Sequence, residues 1–68
     1  MELIKKLLNK ITVDNVNAQI ANGWESSHTI AKYIVGMEIY EALPTWDRQI
    51  LASRVHKVVK ENDLLKTQ

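Results

Sequence analysis

Aliphatic residues stand at positions 3, 4, 7, 8 and 11, with Lys5, Lys6, Asn9 and Lys10 between them. At about 100° per residue, the first set fills one side of a helix and the second set the other. This helical recurrence returns along the chain and constrains the fold more than any other feature. It predicts an all-α, compact bundle of about four short helices, over 2–11, 13–22, 28–43 and 46–61. No stretch alternates apolar and polar residues for long, and two glycines are too few to turn a set of hairpins.

Punctuating residues fall where those helices need them. Thr12 can cap the second helix, and Asn22-Gly23 can end it, because glycine accepts the left-handed conformation of a helix terminus. Ser26 or Ser27 can cap the third, and Pro44 ends it. Thr45 is the expected cap of the fourth, with Asp47 in its first turn, where negative charge suits the helix dipole. Asn62-Asp63 is the expected stop. Leu64 and Leu65 are expected to pack back, and Lys66, Thr67 and Gln68 to fray.

Two further apolar stripes follow from this reading. Val13, Val16 and Ile20 mark the second helix, and Leu51, Ala52, Val55, Val58 and Val59 the fourth. The third helix is apolar on most faces, which predicts a central position. Tyr33 and Tyr40, seven residues apart, share a face on it and read as core. Gly36 in its middle predicts a close helix–helix approach. The packing of the first two helices against each other is left open, since only a residue or two joins them.

Sixty-eight residues predict one helical domain over 1–68. A chain of this length buries only ~60% of its unfolded surface, so its core supplies roughly 3–5 kcal/mol. With no cysteine there are no disulfides, thiolate zinc sites or thiol chemistry. Helix packing or self-association must supply the stability, and a reducing, cytoplasmic location is expected. A net charge of +1 produces no long-range attraction for nucleic acid or lipid. The apolar positions from Leu3 to Ile11 are interrupted by charge, unlike a signal peptide or a membrane span. The first helix is basic and amphipathic but has no aromatic residue. Its apolar face suits the bundle core, so no membrane partner is expected.

Reactive residue types form no complete constellation. Glu25 and His28 have the Glu-x-x-His spacing of di-metal bundles, but that chemistry needs a second such string and two more inward carboxylates. Ser53 and His56 lie three apart, yet no strained nucleophile turn or glycine-rich anion nest accompanies them. No phosphate-binding glycine motif occurs. The expectation is a non-enzymatic protein, with no catalytic residue, metal, cofactor or small-molecule substrate.

The last helix is the informative surface. Trp46 and Ile50 lie more than ~100° from the stripe of Leu51, Val55 and Val58. Two arrangements fit. In one, the first helix or the loop at Trp24 covers the pair. In the other, Trp46 and Ile50 are exposed anchors rimmed by Arg54 and Lys57, a composition typical of protein-contact hot spots. The leading expectation is therefore an adaptor, inhibitor or regulator acting through protein–protein contact, including with a second copy. The runner-up is a helix-turn-helix DNA-binding regulator, in which the helix after Pro44 presents Arg48, Gln49, Ser53, Arg54 and Lys57. Against it stand the low net charge and Asp47, which would repel phosphate at the entry of the reading helix.

Overall fold

Thr12 separates the first helix from the second. Its backbone is extended (φ −112°, ψ 165°), and its Oγ1 accepts the Asn15 N–H at 3.1 Å, the bond expected of an N-cap. The Asn15 side-chain amide donates to the Lys10 carbonyl at 2.7 Å, tying the two ends together. Gly23 takes φ 101° where the second helix stops, and Ser26 caps the next through the Thr29 N–H. The computed structural model describes residues 2–64. Among them it has no strand and five helices: α1 (Glu2–Leu8), α2 (Val13–Ala21), α3 (Ser27–Val35), α4 (Met37–Ala42) and α5 (Thr45–Asn62). The expectations for Leu65, Lys66, Thr67 and Gln68 lie outside the described residues.

The helix expected over 28–43 is in fact two, and Gly36 is the reason. Its φ of 108° and ψ of 129° fall in a region that side-chain-bearing residues rarely enter. The Gly36 N–H still donates to the Lys32 carbonyl and its own carbonyl accepts the Tyr40 N–H, both at 2.9 Å, so one residue closes α3 and opens α4. No close helix approach occurs there. A methyl group at Gly36 would meet nothing nearer than Ile39 Cδ1 at 3.8 Å. The break also cancels the shared face of Tyr33 and Tyr40. Tyr40 is 3% exposed and lies in the core, whereas Tyr33 is 40% exposed.

Boundaries elsewhere move for local reasons. Past Leu8 the backbone tightens, with Lys10 N–H donating to Leu7 and Ile11 N–H to Leu8, both at 3.0 Å. This three-residue spacing ends α1 yet keeps Ile11 buried. Pro44, not Thr45, holds the cap position of α5, and Thr45 is its first helical residue. At the far end Asp63 is left-handed (φ 57°, ψ 41°). Its N–H and that of Leu64 both donate to the Val59 carbonyl, which satisfies an otherwise orphaned acceptor.

The core forms around α5. Leu51 and Val55 are fully buried with Ile30 of α3 and Val16 of α2. α3 makes the most extensive contact with α5, α2 packs on both, α1 adds Leu7, and the turn after α1 adds Ile11. Ile20, Val59 and Leu64 pack at the margin. Val13, expected in the core stripe, is exposed at the first residue of α2. Among the described residues no helix is long and apolar enough to cross a membrane.

Gly36→Ala is expected to cost about 1–3 kcal/mol through backbone strain alone, since space for the methyl exists. Urea unfolding measures it. An unchanged or raised midpoint would show that α3 and α4 readily join into one helix.

Candidate contact surface

Burial of Leu51, Val55 and Val58 sets the rotation of α5. Trp46 then lies about 140° around the helix from Leu51, and the structure leaves it 72% exposed. Neither α1 nor the Trp24 loop covers it. Trp24 is engaged elsewhere, stacked on Tyr33 with ring centroids 5.0 Å apart and planes 13° from parallel. Ile50 is half-buried. Together with Gln49 and Ser53, Trp46 and Ile50 line a shallow, mostly apolar depression of about 280 Å³.

Arg54 and Lys57 are exposed beside this depression. Arg54 also lines a groove shared with Leu8 and Asn9 at the end of α1. Arg54 and Lys57 together line another with Thr12 and Val13. Of the residues named for groove reading, Gln49, Ser53, Arg54 and Lys57 are exposed on α5. Arg48 is not on that side. Its guanidinium donates from Nη2 to Thr45 Oγ1 at 3.2 Å, and its Nε is shielded from solvent without a partner. It lines a cleft with Lys32, Tyr40 and Glu41 instead.

That cleft is a feature the periodicity did not show. Tyr40 reaches it from α4 because Gly36 re-aims that helix. The Tyr40 hydroxyl lies 2.8 Å from His28 Nδ1 and 3.4 Å from the Arg48 carbonyl, linking α3, α4 and α5. Lys32 and Glu41 approach to 3.8 Å on its exposed side, a pair worth little in water. Burial pushes the Tyr40 hydroxyl above its ordinary pKa of 10.0, and the nearby Arg48 charge opposes that shift. In the sequence the one hint of it is a glycine inside an otherwise helical run, and its positive φ, rather than close packing, is what that glycine provides.

Glu25 and His28 form no larger set. Among the described residues no three metal-ligating side chains come together, and His28 Nδ1 faces Tyr40. Ser53 and His56 are exposed over a cleft of about 450 Å³ that also holds Ser27 and His28.

Because the folded-state pKa of Tyr40 is raised, the neutral hydroxyl favours the folded protein. That contribution is complete below pH 10.0 and is lost as pH rises through the folded value. Tyr40→Phe is expected to cost about 1 kcal/mol at neutral pH and to flatten the alkaline decline in unfolding free energy. Urea titrations across the alkaline range compare the two, and an identical decline in the variant would assign it to other groups. Compared with family models, curated proteins and solved structures, the chain shows no match.

Proposed function

We propose that this protein acts without catalysis, as an adaptor, inhibitor or regulator that binds another protein through the outward face of α5. The observation carrying this reading is the exposure of Trp46 in the first turn of a long helix whose opposite side is anchored in the core. A large indole in water on a firm support is a ready source of binding free energy. Ile50 continues the apolar surface, and Gln49, Ser53, Arg54 and Lys57 supply the polar rim. Arg48 is turned toward Thr45 and Asp47 occupies the first turn, so the groove-reading alternative has fewer cations on this face than its sequence suggests.

Trp46→Ala is expected to change stability by no more than about 0.5 kcal/mol, as for an ordinary surface site, while weakening partner binding by roughly 2 kcal/mol or more. Thermal unfolding checks the first. Cross-linking capture with wild type, Trp46→Ala and the control Leu3→Ala checks the second. Loss of folding in Trp46→Ala would make the residue core. Tight duplex binding that falls steeply with salt would replace this reading with the DNA one.

A further inference from the structure

The face of α5 is self-complementary, and we infer that its partner is a second copy of this chain, paired antiparallel through α5 about a two-fold axis at Ile50. The inference rests on the reading of this face as a contact surface. Ile50 sits midway in a symmetric pattern: Trp46 is four residues before it and Arg54 four after, while Asp47 is three before and Ser53 three after. Antiparallel pairing therefore sets Trp46 and Asp47 of one copy across from Ser53 and Arg54 of the other, twice over, as an isologous interface requires.

Size and charge both match in that register. The small Ser53 leaves a hollow in the depression that Trp46, Gln49 and Ile50 also line, and the partner's indole is the knob that enters it. Asp47 and Arg54, seven residues apart, lie within about 20° of each other around the helix. A two-fold perpendicular to the helices brings that same edge of each copy together, so each Asp47 meets the partner's Arg54. Among the described residues neither Asp47 nor Arg54 has an ion pair within its own chain. A parallel arrangement would instead place like charges side by side.

Two indoles bury ~150–250 Å² each. With the Ile50 pair between them, the contact falls at the low end of protein interfaces, under about 1,200 Å². The association is accordingly reversible and concentration-dependent.

Sedimentation over a concentration series tests the proposal, with circular dichroism confirming that each variant stays helical. Wild type is expected to form dimers. Trp46→Ala should raise the dissociation constant by about thirtyfold. Arg54→Glu should raise it by roughly tenfold, through repulsion at both symmetry-related pairs. The double exchange Asp47→Arg with Arg54→Asp should recover most of the affinity. A wild-type monomer throughout overturns self-pairing while leaving the contact reading to a different protein. A dimer indifferent to Trp46→Ala overturns both. A dimer lost in Trp46→Ala but unmoved by Arg54→Glu overturns the antiparallel register.

Discussion

Leu51 and Val55 are completely buried against α3 and α2, and most of the molecule follows from that contact. A helix is rigid about its axis, so placing these two side chains inside determines where every other residue of α5 points. Trp46 and Ser53 are carried outward by the same rotation that carries Val58 inward. The exposed indole is thus a consequence of core packing combined with the spacing of the residues. A chain this small has little apolar surface to spare, which makes a tryptophan left in water informative.

Gly36 is the second determinant. Without a side chain it can turn the backbone to positive φ, and the apolar run from Ile30 to Leu43 becomes two helices instead of one. The consequence is chemical as well as geometric. Tyr40 is delivered into the core beside His28 and the Arg48 carbonyl, while Tyr33 stays outside and stacks on Trp24. One hydroxyl then links three helices. The first turn of α5, which carries Trp46, is held from behind by the Tyr40 contact with Arg48, so the outward anchor has a firm base.

Two separate surfaces of α5 result. One side of its first turns faces the polar cleft with Lys32, Glu41 and Arg48, and the other presents the apolar depression around Trp46. The arrangement separates cationic residues that look contiguous along the chain. Arg48 joins the cleft, while Arg54 and Lys57 remain beside the depression. A linear reading of that basic cluster as a single binding stripe overlooks this division.

The helical class, the cap at Thr12, a serine cap at Ser26 or Ser27, the stop at Gly23 and the inward stripe of α5 were all legible from the amino-acid order, because each depends on residues within one or two turns. The outward direction of Trp46 followed from the same spacing. Whether another element covered it did not, since that depends on where the Trp24 loop and α1 come to rest. Likewise the periodicity of residues 28–43 suits one helix as well as two, and the broken form appears only in the fold, with Gly36 at positive φ and Tyr40 packed toward His28 and α5. Short-range spacing therefore determined the helices and their faces. Contacts between residues distant along the chain decided which faces remained open, because covering a surface requires a partner that local sequence does not specify.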